Sequence, residues 1–187
     1  MKNKMNTFVN TMLLGNFSVI TGGMACGKTL TAIAFLKELS KININKSIIS
    51  NTKIKGIKYL PFKLTQLFDY KNSIVYLTHN EYTTKRPNEY ITDNMIGFIN
   101  DLKDNNNLLI LELLSVDELL PVIVPYYDLI VRPRLLSDER LHIQILNKGL
   151  DEDWDIRYFI INNALEYTAY MPQLWEMLYR VELESKQ

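Results

Sequence analysis

Short runs of aliphatic and β-branched residues recur along the chain: Phe17-Ser18-Val19-Ile20-Thr21, Ser47-Ile48-Ile49-Ser50, Ser73-Ile74-Val75-Tyr76-Leu77, Leu108-Leu109-Ile110-Leu111 and Asp128-Leu129-Ile130-Val131. Their apolar residues fall on both alternating faces, the pattern of strands buried on both sides. Between them the apolar spacing changes to three and four. It predicts a helix over Thr29 to Leu39, a short one over Lys63 to Phe68, and one from about Asp93 to Asp104 with Met95, Ile96, Phe98, Ile99 and Leu102 inward. A polar loop spans Thr78 to Tyr90, and Asn105-Asn106-Asn107 marks a turn. A last helix, about Pro172 to Glu184, gathers Leu174, Trp175, Leu178 and Val181 on a face that caps the core or binds a neighbouring subunit. Strands alternating with helices imply a three-layer α/β fold, with a mostly parallel central sheet covered by helices on both faces.

The first strand and first helix enclose Gly22-Gly23-Met24-Ala25-Cys26-Gly27-Lys28-Thr29, a complete match to G-x-x-x-x-G-K-[ST] in its required strand–loop–helix context. Glycines let successive N–H groups turn inward around phosphates, and the following helix adds the positive end of its dipole. Gly22 through Thr29 thus form a candidate ATP site. Lys28 would reach the β and γ phosphates, and Thr29 would offer its hydroxyl to Mg²⁺. Met24 and Cys26 occupy positions open to many residue types, and Cys26 reads as a small filler.

At 187 residues and 47% hydrophobic, the chain fits one domain spanning 1–187. A single cysteine excludes an internal disulfide framework. Basic and acidic residues balance at 21 each, so any DNA contact must be local. The most apolar stretch, Leu108 to Val131, is broken by Glu112, Asp117, Glu118, Asp128 and two prolines, and reads as core, not as a membrane span. The start is basic but is followed only by the brief apolar run Met12-Leu13-Leu14, which makes no secretory signal; a cytoplasmic location is expected, in a host cell or with a virion if the protein is viral.

The order of strand, glycine loop and helix, followed by Ile48-Ile49-Ser50-Asn51 and Lys55-Gly56-Ile57-Lys58-Tyr59-Leu60-Pro61-Phe62, resembles the small FtsK/HerA-type P-loop ATPases of archaeal viruses and mobile elements. Those proteins are similar to genome-packaging motors, with the phage assembly ATPases related to zonular occludens toxin as near neighbours. Tyr127-Asp128-Leu129-Ile130-Val131-Arg132-Pro133 and Ala164-Leu165-Glu166-Tyr167-Thr168-Ala169-Tyr170 resemble later parts of the same family. The resemblance implies a homo-oligomeric ring, double-stranded DNA as cargo, and a capsid or assembly protein as a further partner.

Two departures bear on hydrolysis. The family carries an acidic pair at the end of the strand read here as Ser73 to Leu77, but this chain continues Thr78-His79-Asn80-Glu81. Thr78 offers a hydroxyl for a metal-bound water, and Glu81 is the candidate for positioning the attacking water. The polar sensor expected around Leu113-Leu114-Ser115 has only Glu112 and Ser115 as candidates. The resemblance also implies an arginine reaching a neighbour's γ phosphate; Arg132, Arg134 and Arg140 are candidates, with Arg134 retained as catalytic beside Lys28 and Glu81. His79 and His142 read as structural. DNA would meet Lys53, Lys55 and Lys58, or Lys85-Arg86, through sequence-blind phosphate contacts. An ATP-binding assembly module with little hydrolysis and a small-molecule kinase remain as alternatives.

Overall fold

The structure, a computed structural model, describes residues 2–42, 45–78, 89–119, 121–148 and 154–170. At its centre lies β1 (Phe17–Thr21), buried along its whole length. It pairs in parallel with β5 (Leu108–Leu113) on one side and β6 (Leu129–Leu135) on the other. Both of its edges are thus satisfied and both faces covered, which is why an uninterrupted apolar run suits it. Outward from β5 follow β4 (Ser73–Thr78), β2 (Ser47–Ser50) and the two-residue β3 (Leu60–Pro61), all parallel. Outward from β6 the sheet becomes antiparallel through β7 (Leu141–Lys148) and β8 (Trp154–Ile161). The order is β3-β2-β4-β5-β1-β6-β7-β8.

Alternation along the strands divides the core in two. On one face Ile20, Ile74, Tyr76 and Ile110 pack under α1 (Lys2–Met12) and α2 (Lys28–Lys41). On the other, Val19, Val75, Leu77 and Leu111 pack against Met95, Phe98 and Ile99 of α3 (Glu89–Asn100). The expected three layers and mostly parallel sheet are therefore present. The expected short helix is a 3₁₀ turn over Leu64–Asp69, and α3 starts and stops about four residues before the range its apolar spacing suggests. Helix α1 and strands β7 and β8 were not expected. The expected helix over 172–184 lies outside the described residues.

β6 runs past the apolar segment to Leu135 and contains Pro133, usually unwelcome inside a sheet. The pairing of β6 with β1 ends at Val131, so at Pro133 there is no ladder on that side to interrupt. Asp128 fastens the other end. Its Oδ2 accepts the N–H groups of Asn16 at 2.7 Å and Phe17 at 2.9 Å, while its own N–H donates to the Phe17 carbonyl at 2.8 Å. Asp128→Ala strips two main-chain donors of their acceptor and should cost about 2–3 kcal/mol, read as a lower urea midpoint with unchanged slope. Asp128→Asn, which keeps an acceptor oxygen, should lose less.

Candidate functional site

The chain leaves β1 at Thr21, turns through residues 22–27 and enters α2 at Lys28. Gly22 has φ +151°, and a Cβ there would stand 2.7 Å from the Cys26 sulfur. Gly27 has φ +97°, and its Cβ would stand 2.5 Å from Leu141 Cδ1. Both invariant glycines of the motif are thus required by conformation and by space, whereas Gly23, at a free position of the motif, has nothing within 4 Å. Leu135 N–H donates to the Cys26 carbonyl at 2.9 Å and ties the loop to β6. Gly27 precedes α2 without any side-chain cap, so the helix presents open N–H groups to the loop, an arrangement suited to an anion.

Lys28 is buried, and its Nζ donates to the carbonyls of Gly22 at 2.7 Å and Gly23 at 2.8 Å. The ammonium is held across the loop that would cradle phosphates. Thr29 donates its hydroxyl to Glu112 Oε1 at 2.7 Å, and Tyr76 donates its own to Glu112 Oε2 at 2.7 Å. Glu112 is only 3% exposed. Burial, and then the neighbouring Glu112 charge, push the Tyr76 hydroxyl well above its ordinary value, so it remains a proton donor.

The described carboxylate hydrogen-bonded to Thr29 is on β5. β4 ends at Thr78 without a carboxylate, and the next strand, β5, supplies Glu112 in register with Thr78 on one side and Ile20 on the other. β5 lies between β4 and β1, which brings its end under the first turn of α2. Thr78 is held by Asn51, whose Oδ1 accepts its N–H at 2.9 Å and whose Nδ2 donates to its carbonyl at 2.7 Å. Tyr76 was missed by sequence reasoning. The available signal was a polar tip at the parity of Ile74 in an otherwise apolar strand.

The remaining candidates disperse. Arg132 and Arg134 are exposed on β6, at the parity opposite to Val131 and so on the face away from α2; Arg134 stands opposite His142. Arg140 pairs with Asp138, Nε to Oδ2 2.6 Å, and its guanidinium holds the Asp138 carboxyl below the usual range. Ser115 caps a local turn, accepting from Asp117 N–H at 3.2 Å. Lys53, Lys55 and Lys58 are exposed, with Ile54 and Ile57 buried between them. His79, Glu81 and Lys85-Arg86 lie outside the described residues. A surface cavity of about 390 Å³ near Leu39, Ile57 and Tyr59 is lined by none of the loop residues.

Magnesium is a hard cation that needs oxygen donors, often one or two carboxylates completed by phosphates and water. The Thr29 hydroxyl and the Glu112 carboxylate hydrogen-bonded to it match that donor set. No group of three or more metal-ligating side chains occurs among the described residues, and none is needed for a metal held largely by phosphates. Among the same residues no helix is long and apolar enough to cross a membrane.

No family model and no curated protein matches the chain by sequence. Solved structures do. The N-terminal domain of zonular occludens toxin from Neisseria meningitidis superposes with a TM-score of 0.62 at 9% identity, over 83% of this chain and 97% of that one. The genome packaging NTPase B204 from Sulfolobus turreted icosahedral virus 2, in complex with sulfate, gives 0.56 at 13% identity, over 79% and 98%. The flagellar accessory protein FlaH from Methanocaldococcus jannaschii gives 0.53 at 10% identity, over 79% and 84%. The fold is that of the P-loop NTPases.

The P-loop's dependence on Gly27 is directly measurable. Gly27→Ala should destabilise the protein by about 2–4 kcal/mol, from an unfavourable left-handed alanine and overpacking against Leu141. Adding Leu141→Ala should not restore it, because the backbone strain persists. Gly23→Ala should stay within about 0.5 kcal/mol of the parent, all three read from denaturant midpoints.

Proposed function

We propose that this chain is a P-loop ATPase that couples ATP binding and hydrolysis to movement of double-stranded DNA, as in filling a viral capsid, and that it works as a homo-oligomeric ring. The observation that carries the nucleotide reading is the loop itself: a glycine turn with an uncapped helix end, a buried lysine across its mouth, and a threonine hydroxyl joined to a buried carboxylate. Support for the finer reading comes from the structural neighbours, among them a genome packaging NTPase with complexes containing ATP-gammaS and AMPPCP. The exposed lysines at 53, 55 and 58 offer phosphate contacts without sequence preference.

In this reading the N–H groups of residues 22–28 and the Lys28 ammonium bind the phosphates, and Thr29 orients toward the metal. Thr29 would help hold a Mg²⁺ ion, which would supply charge neutralisation on the transferred phosphoryl group. Glu81 positions the attacking water, and Arg134 of a neighbouring copy completes the site. A capsid or assembly protein is the partner that would anchor the ring. The lack of a carboxylate at the end of β4 favours a second reading, an ATP-binding assembly module with little turnover.

Mg²⁺-ATP turnover with and without double-stranded DNA separates these. A motor should be stimulated several-fold by DNA, with stimulation weakening as salt rises. Lys28→Ala should lower turnover by two or more orders of magnitude, and Glu81→Gln should lower turnover while sparing ATP binding. Tight ATP binding with no turnover in the parent protein supports the module, phosphate transfer to a nucleoside supports a kinase, and no purine triphosphate binding at all overturns the proposal.

A further inference from the structure

Among the described residues only two charged side chains are buried, Lys28 and Glu112, and both belong to the P-loop site. A buried charge is ordinarily paired, because desolvation otherwise costs several kcal/mol. These two are not paired: neither forms an ion pair among the described residues. Lys28 is satisfied by two carbonyls and Glu112 by two hydroxyls. The site thus carries a cation and an anion that are each held by neutral groups and not by a counter-charge, with Thr29 bridging from the helix to the latter. A polyphosphate answers the first charge and a divalent cation the second.

We propose that Glu112 on β5 is the metal-shell carboxylate of this site, a role that falls to the end of the neighbouring strand in the family the chain resembles, and that Tyr76 is its positioning residue. Three observations carry this. Glu112 contacts the side chain that the motif assigns to the metal, one hydrogen bond from Thr29 Oγ1. Its second oxygen is fixed by Tyr76, so the carboxylate cannot rotate freely away from the helix. Among the described residues the corresponding end of β4 offers Thr78, whose main chain is clamped by Asn51. P-loop sites hold Mg²⁺ through the P-loop Ser or Thr together with a strand carboxylate, and Glu112 is the described carboxylate joined to that threonine. Thr78 and Glu112 share a row of the sheet, so moving the acid by one strand leaves it at the same depth in the site.

This inference rests on the nucleotide-binding reading, and the experiment separates the two. ATP affinity is measured by calorimetry in EDTA and again with Mg²⁺, for the parent protein, Glu112→Gln, Glu112→Asp and Tyr76→Phe, with thermal denaturation as the check on folding. Mn²⁺ binding to the ATP-loaded proteins is followed by electron paramagnetic resonance. The enhancement of ATP affinity by Mg²⁺ should fall about 10- to 100-fold in Glu112→Gln, while affinity in EDTA changes little. Mn²⁺ affinity should fall in parallel, and Tyr76→Phe should produce a smaller loss in the same ratio. A Glu112 that only braces the helix would alter the melting temperature and leave the ratio intact, which overturns the proposal. Should Glu112→Gln not fold, Glu112→Asp decides: its shortened side chain loses reach to Thr29, and an unchanged ratio there is equally fatal. Failure of the parent protein to bind ATP in either condition instead removes the underlying nucleotide reading.

Discussion

A carboxylate withdrawn from water beneath the first turn of a helix is the constraint around which the middle of this molecule is arranged. Glu112 needs two donors to be tolerable there, and no single element supplies both. One comes from Tyr76 on β4, the other from Thr29 on α2. The arrangement requires β4, β5 and α2 to hold a common register, with β5 between β4 and the P-loop strand. The parallel ladder therefore does more than bury Val75 and Leu111. It sets Tyr76 two register positions from Glu112 on the face that α2 covers, close enough for their side chains to meet.

The P-loop is shaped from its other side as well. Leu135 of β6 donates to the Cys26 carbonyl, and Leu141 of β7 fills the space that a side chain at position 27 would need. The antiparallel extension is thus a support for the loop's backbone. Arg132 and Arg134 sit on β6 itself, three residues and one residue before the strand ends at Leu135. A displacement of these strands by a partner surface would act on Cys26 and Gly27 through these contacts, which links the arginine-bearing strand to the loop without any intervening segment.

Much of this was legible in the sequence, and the exceptions share a cause. The five buried strands and the loop were readable because their signals are local: apolar runs too short for helices, and a glycine-lysine-threonine spacing with one structural context. β7 was readable in principle, since Leu141, Ile143 and Ile145 alternate with His142 and Gln144, but the apolar Leu146 extends the run and blurs the period. β8 exposes Ile156, Tyr158 and Ile160 on one face and sets the exposed Arg157 beside the half-buried Phe159 on the other, so no alternation of apolar and polar residues marks it. The contact between Glu112 and Thr29 was not legible at all. Glu112 lies in an apolar run and was noticed only as a polar sensor candidate; that it meets Thr29 follows from strand order, which no local pattern contains.

The separation of the two buried charges has an energetic meaning of its own. At about 4 Å and an effective dielectric of about 20, a Lys28–Glu112 pair would gain roughly 4 kcal/mol of Coulomb energy. The fold forgoes that pair and satisfies each charge with neutral dipoles instead, two carbonyls for the ammonium and two hydroxyls for the carboxylate. Neutral dipoles are weaker partners than a counter-ion. Natural proteins depart from their most stable arrangement where a site demands it. Keeping Lys28 and Glu112 apart leaves each charge held by neutral groups, the arrangement that the proposed binding of a polyphosphate and a divalent cation would use.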